Sequence, residues 1–319
     1  TEKLVEEAKT SPYHVKAVKP LPSRKINKQV PLIDCFIAPC KEGCPIHQDI
    51  TTYLQLVEAG KYEEAMDVIT FITGTICAHA CMGKCTRNFY ESPVHIREMK
   101  LEAAQNGYEA LMNKLTAPAI TKEGKAAVIG GGPAGMAAAY FLRRAGMVTV
   151  FEKNDALGGV VRHVIPEFRI PGTSIDKDAA LLEKMGVEVR LNTEVKDTAA
   201  LKAEGFTTVI LAVGASEPGV LRLEQGEAKN ALEFLADFKA NDGKLDIGKN
   251  VVVIGGGNTA MDTARAAKRT TGVEHVYLVY RRTKRYMPAD EEELVMAVED
   301  GVEFMELLSP VKLENGKLI

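Results

Sequence analysis

The chain has 319 residues, 46% hydrophobic and 26% charged, with a formal net charge of −3. That length accommodates two or three globular domains, and the near-neutral balance excludes a global field for nucleic acid or a membrane surface. No apolar run approaches the ~18–20 residues that cross a bilayer, and the opening TEKLVEEAKT has no apolar signal core; a cytoplasmic protein is expected.

Residues 1–31 contain Pro12, Pro20, Pro22 and Pro31 and an excess of lysine and arginine over glutamate. They read as an extended, solvated arm, or as a docking arm for a partner subunit. Residues 32–120 read as a small helical domain with cysteines in its loops. Within it, residues 49–70 suggest two short helices broken near Gly60, and a longer helix is expected from about Pro93 to Leu115, since proline suits a first helical position. Residues 116–125 form a linker. From there the pattern becomes strand, glycine turn, helix, strand, and it recurs at Asn250. The predicted fold is therefore α/β: a helical, cysteine-bearing domain at 32–120, then two Rossmann-like domains at 121–248 and 249–319.

All six cysteines precede residue 86: Cys35, Cys40, Cys44, Cys77, Cys81 and Cys85. Tight clusters in a chain without a secretion signal favour metal over disulfides. Structural zinc usually takes closely spaced pairs in two knuckles. Two triplets, one running into Pro45, look more like iron–sulfur ligation by soft, anionic thiolates. Six cysteines are too few for two clusters held by cysteine alone. His47, His79, Asp34 and Glu98 are candidate non-cysteine ligands by proximity, although most such residues cap helices or face water.

Gly130, Gly132 and Gly135 complete a G-x-G-x-x-G turn between a strand and a helix, with Pro133 and Ala134 inside it. Glu152 ends the next strand, followed by Lys153. The first glycine makes the turn, the second admits a pyrophosphate, the third lets helix and strand pack, and the acid holds ribose hydroxyls. This predicts the FAD site. Gly158 and Gly159 can bring backbone near the flavin. Thr208–Val213 reads as a buried strand leading to Gly214. The second unit offers Gly255, Gly257, Asn258, Thr259 and Ala260. No acid ends its second strand; Tyr280, Arg281 and Arg282 stand there. Arginine at that point suits the 2′-phosphate of NADPH.

These stretches, with CFIAPCKEGCPIHQDI, ICAHACMGKC, LGGVVRHVIPEFRIP and YRRTKRYMPADEEE, resemble the small subunit of NADPH-dependent glutamate synthase and the amino-terminal half of dihydropyrimidine dehydrogenase. TGTICAHACMGKCTRNFY is similar to the selenate-reductase type of iron–sulfur subunit. The resemblance implies FAD, NADPH and up to two [4Fe–4S] clusters. By that analogy Cys35, Cys40 and Cys85 serve one cluster, and Cys44, Cys77 and Cys81 the other. Leu32 stands where the family has a further cysteine. Lys100, with Glu98 close by, stands where the family has a carboxylate or amide ligand. Each site is then a [4Fe–4S] cluster with an unusual fourth ligand or a three-iron form. The family also continues beyond the equivalent of Ile319, completes the nicotinamide domain and returns to the FAD domain, so the last domain reads as incomplete.

The expected function is an electron-transfer oxidoreductase subunit, passing electrons from NADPH through FAD and the clusters to a partner subunit or domain. The cofactors carry that chemistry, so no catalytic side chain is nominated. A disulfide reductase would need a cysteine pair near the flavin, and no cysteine follows Cys85. The alternative is a scaffold or electron-bifurcating subunit whose cluster domain mainly docks a partner. The terminal acceptor is not readable.

Overall fold

The computed structural model describes residues 37–319 except 67, 216–218 and 220. The arm at 1–31, Leu32, Asp34 and Cys35 lie outside the described residues. The described chain separates into two compact units. Residues 37–55 and 79–96 make the smaller; residues 56–78 and 97–319 make the larger.

In the smaller unit, α1 (Pro39–Gly43) opens on proline and packs on α5 (Ala80–Gly83). Cys44, Cys81, Ile50 and Ile96 form a compact apolar nucleus with Leu54 and Met82 around it. The helix α2 (Ile50–Glu58) carries the chain on past the unit's edge.

The larger unit begins with α3 (Tyr62–Ala65), α4 (Thr70–Ile76) and, after the excursion, α6 (Ile96–Lys114). The break near Gly60 is present; that glycine has φ +70°. Two departures from expectation stand out. Helix α6 starts at Ile96 rather than Pro93, because the Ile96 amide donates to the Val94 carbonyl at 2.8 Å, a tight turn that holds the preceding residues out of the helix. Helix α4 was not signalled at all: TFITGTI is rich in β-branched residues that disfavour helix. Tertiary contacts hold it. A Cβ on Gly74 would lie 2.8 Å from the Leu101 backbone, so only glycine lets α4 approach α6 this closely.

The first nucleotide half is a parallel sheet of order β3-β2-β1-β4, comprising β1 (Lys125–Ile129), β2 (Met147–Phe151), β3 (Glu188–Arg190) and β4 (Phe206–Leu211). Its crossovers are α7 (Pro133–Arg143), then α8 (Val160–His163) with α9 (Gly172–Lys184), and finally α10 (Thr198–Ala203). Val128, Met136, Ala139, Val150 and Leu182 lie in one core between sheet and helices. The strand expected to be buried, β4, is instead a sheet edge: Leu211 is 69% exposed and Thr207 and Thr208 face solvent.

The second half repeats the plan with β5 (Asn250–Ile254), α12 (Asn258–Arg269), β6 (His275–Tyr280), α13 (Glu291–Glu299) and β7 (Glu303–Glu306), preceded by α11 (Ala231–Ala240). Its parallel sheet runs β5-β6-β7. Buried alanines at 260, 264, 266 and 267 let α12 lie close against it. A two-residue pairing of β8 (Leu313–Glu314) with β9 (Lys317–Leu318) follows. Among the described residues no helix is long and apolar enough to cross a membrane.

Candidate functional site

In the first half, β1 is flanked by β2 on one side and β4 on the other. The strand order reverses there, and ligands of open α/β sheets bind at such a switch point, beyond the carboxyl ends of the strands. Gly130 leaves β1 at φ +104°. Helix α7 then starts at Pro133. A Cβ on Gly135 would lie 1.8 Å from the Gly130 carbonyl oxygen, so the turn and the helix can meet only at glycine. The Gly158 amide donates to the Gly131 carbonyl at 2.8 Å, and a Cβ on Gly159 would sit 2.9 Å from the Gly132 Cα. The structure thus brings the two predicted glycine clusters together. At Gly132 a Cβ would meet nothing nearer than 3.8 Å. That open face of backbone, at the amino end of α7, is where a pyrophosphate would approach.

Glu152 is 4% exposed. Its Oε2 accepts from the Gly131 amide at 2.6 Å, while Oε1 accepts from the Asn154 amide and side chain at 2.9 and 2.8 Å. The carboxylate is therefore fixed beside the glycine turn, in the place that ribose recognition requires. Ala134 and Lys153 are exposed at the rim. The residues present fit the ADP portion of FAD.

The second half can be aligned residue by residue. The Gly130 amide donates to the Phe151 carbonyl, and the Gly255 amide donates to that of Val279. Tyr280 is consequently the counterpart of Glu152. Its ring lies against Gly256, where a Cβ would be 2.5 Å from the ring carbons, and its hydroxyl donates to the Tyr286 carbonyl at 2.6 Å. Arg281 and Arg282 follow, both exposed, with Lys284 and Arg285 in the same loop. Gly257 precedes α12 in extended backbone, as Gly132 precedes α7. Asn258 is not free: its Nδ2 donates to Asp290 Oδ2 at 3.3 Å and its Oδ1 accepts from the Asp290 amide at 3.1 Å. Thr259 is exposed and Ala260 buried. Sequence reasoning missed Tyr280 as a site residue and the Asn258–Asp290 pair. An aromatic residue at the acid's position was the available signal for the first.

Of the described cysteines, Cys44 and Cys81 are buried, Cys40 and Cys85 half-buried and Cys77 exposed. Burial pushes the Cys40 thiol up, backbone hydrogen bonds oppose this, and the neighbouring Cys85 and Cys44 push it further up. Three thiols therefore share one neighbourhood in the smaller unit. Cys77 caps the carboxyl end of α4 in the larger unit. Among the described residues no three cysteine, histidine or acidic side chains converge as a single-ion site. The donor set of soft thiols near one another suits iron–sulfur chemistry. His47 and His79 both adopt left-handed backbone, at φ 50° and 37°. Glu98 accepts from Arg97 at 3.0 Å. Lys100 is 5% exposed, and its charge bears on Asp178.

With this geometry in hand, the comparisons define the class. The chain belongs to the pyridine nucleotide-disulphide oxidoreductase family, whose profile matches residues 124–306. A second profile, dihydropyrimidine dehydrogenase domain II with its 4Fe-4S cluster, matches residues 23–110. The chain therefore joins a region of the 4Fe-4S type to a region of the pyridine-nucleotide oxidoreductase type. Among curated relatives it is 40% identical to YgfK of Escherichia coli strain K12, over 98% of this chain and 31% of YgfK. It is 33% identical to the NADPH-Fe(3+) oxidoreductase subunit beta of Geobacter sulfurreducens strain DL-1 / KN400, over 88% of this chain and 44% of that one. It is 31% identical to the NAD-dependent dihydropyrimidine dehydrogenase subunit PreT of E. coli strain K12, over 89% of this chain and 71% of PreT. The chain spans less than half the length of the first two.

Proposed function

We propose that the protein is the nucleotide-oxidising part of an electron-transfer oxidoreductase, taking electrons from NADPH through FAD into iron–sulfur clusters and on to a partner subunit or domain. The observation that carries the nucleotide choice is Tyr280 in the place of Glu152. A carboxylate there holds ribose hydroxyls and repels a phosphate; an aromatic ring followed by Arg281 and Arg282 does neither and supplies charge-assisted donors. The relative named for NADPH supports the reading. PreT is named for NAD, so the choice varies among relatives.

When bound, the flavin supplies the conversion between two-electron and one-electron transfer. The chain's own residues bind and orient. Gly130, Gly132 and Gly135 with the amino end of α7 would cradle the FAD pyrophosphate, and Glu152 its ribose. Gly255, Gly257 and the amino end of α12 would do the same for the nicotinamide nucleotide. The limits 121–248 and 249–319 separate the two glycine turns, although α11, before residue 249, packs in the second core. Cys35, Cys40, Cys44, Cys77, Cys81 and Cys85 would hold the iron. Thiolates of this kind need a reducing compartment, which supports a cytoplasmic setting. The relatives named as subunits support a partner that accepts the electrons.

The test is nucleotide binding to Arg281→Ala/Arg282→Ala. Each charge-assisted bond to a phosphate is worth about 1.5–3 kcal/mol. NADPH affinity should fall at least tenfold, on the order of one such bond, with NADH almost unchanged. Equal losses for both nucleotides refute the assignment.

A further inference from the structure

One stretch of chain runs from the FAD cradle into the other nucleotide half. It starts at Gly158 and Gly159, which lie against the turn containing Gly131 and Gly132. It passes through α8 and ends at Arg169. Val164 and Phe168 pack against the apolar core of the second half, beside α11 and α12. The Phe168 ring lies 5.0 Å from the Arg265 guanidinium and 4.3 Å from that of Arg269. The Ile165 carbonyl accepts from Lys239 Nζ of α11 at 2.8 Å.

At the far end sits a buried ion cluster. The Arg169 side chain is 13% exposed and pairs with Asp262 Oδ1 at 3.3 Å and with the Glu293 carboxylate; those two side chains are 9% and 4% exposed. The Asp262 oxygen is in ion-pair range of Arg169 but makes no hydrogen bond. Asp262 lies on α12 just past the turn that would hold the nicotinamide nucleotide, and Glu293 lies in the first turn of α13. A buried pair of acids is costly unless a cation answers it, and breaking such a pair is strongly unfavourable. Here Arg265 of α12, 3.9 Å from the Glu293 carboxylate, answers part of that charge, and the nearer cation, Arg169, comes from the stretch that leaves the FAD cradle.

We propose that Arg169, gripped by Asp262 and Glu293, is a positioning residue for hydride transfer, fixing the second nucleotide half against the segment that leaves the FAD cradle. This rests on the reading of the chain as a nicotinamide–flavin oxidoreductase. In that step the reduced nicotinamide loses a hydride, carrying two electrons and one proton, and is oxidised; the flavin gains them and is reduced. The rate depends steeply on the donor–acceptor distance, so a misplacement near 1 Å costs about a hundredfold.

The experiment is anaerobic stopped-flow reduction of the FAD-loaded protein by NADPH and by NADPH deuterated at the transferred position. Wild type is compared with Glu293→Gln and Arg169→Lys. The limiting rate should fall by at least about tenfold, and the isotope effect should change. NADPH affinity and FAD retention should move by less than about threefold, because the ground-state contacts are intact. Glu293→Asp should recover part of the rate. A purely structural ion cluster would lower the melting temperature and leave both the limiting rate and the isotope effect alone; that result overturns the proposal, and Arg169→Lys decides it if Glu293→Gln does not fold. A wild-type flavin that neither NADPH nor NADH reduces overturns the underlying reading and this proposal with it.

Discussion

Asp178 and Ile72 meet 106 residues apart in sequence, the carboxylate Oδ2 accepting from the Ile72 amide at 2.8 Å. Oδ1 of the same group accepts from the Phe71 amide at 3.1 Å. Helix α4 has Ile69 in left-handed backbone at its start and no side-chain cap of its own. Its cap is borrowed from α9. Two of the orphan donors of the first turn are thereby satisfied by a carboxylate that is itself wholly buried.

Asp178→Ala should therefore leave two buried amides unpaired, at about 1–3 kcal/mol each, and shift the urea midpoint down accordingly. Burial is the main cause raising the Asp178 carboxyl to about 6; backbone bonds and Lys100 oppose it. The folded state then holds this proton at pH values where the unfolded chain has released it. The associated stability is full below the ordinary carboxylate value and is lost as pH rises through about 6. Urea midpoints measured across that window should decline in wild type, and this component should vanish in Asp178→Ala. An identical slope in both proteins would refute it.

Two glycines of the first turn should separate folding from binding. Gly135→Ala puts a methyl on the Gly130 carbonyl and should lower the melting temperature and abolish FAD retention together. Gly132→Ala meets nothing nearer than 3.8 Å, at an ordinary φ of −71°. It should fold as wild type and lose FAD, because the methyl stands where the pyrophosphate approaches. Gel filtration with flavin absorbance, alongside a thermal melt, distinguishes the two outcomes.

The Arg281–Arg282 reading predicts a salt signature. Both guanidiniums are exposed, so their attraction for a phosphate is screened as the Debye length shrinks from about 10 Å at 0.1 M to about 3 Å at 1 M salt. NADPH binding, followed by titration calorimetry, should weaken severalfold across that range while NADH binding changes little. Parallel responses would remove the arginines from nucleotide choice.

Protein made anaerobically should carry iron and acid-labile sulfide. Cys44→Ser and Cys81→Ser, which alter two buried thiols assigned to the same cluster, should each lose the iron and sulfide of that one cluster. Stoichiometric zinc without sulfide would contradict the cluster assignment.

Much of this was legible in the residues themselves. Gly130-x-Gly132-x-x-Gly135 with Glu152 announces strand, turn, helix and acid, since only glycine satisfies the positive φ at Gly130 and the close approach at Gly135. The second unit announced itself by repetition. What stayed hidden depends on partners distant in sequence. Helix α4 has poor intrinsic propensity and exists because Asp178 and the backbone of α6 hold it. Edge strand β4 reads as buried because its apolar residues alone do not reveal which side of the sheet has a neighbour. The ion cluster at Arg169 joins residues from three separated stretches, each of which looks like an ordinary charged position.

The bond from the Tyr280 hydroxyl to the Tyr286 carbonyl closes the basic loop at its base. Residues 281–285 run between Tyr280, whose ring lies on Gly256, and Tyr286, and they are tied to the end of β7 as well: the Lys284 amide donates to Glu306 Oε2 at 2.8 Å and the Arg282 carbonyl accepts from the Leu307 amide at 3.4 Å. The loop's contents can be exchanged without disturbing the core beneath. On the reading proposed here, coenzyme choice would sit in the exposed side chains of Arg281, Arg282, Lys284 and Arg285 rather than in the core beneath them.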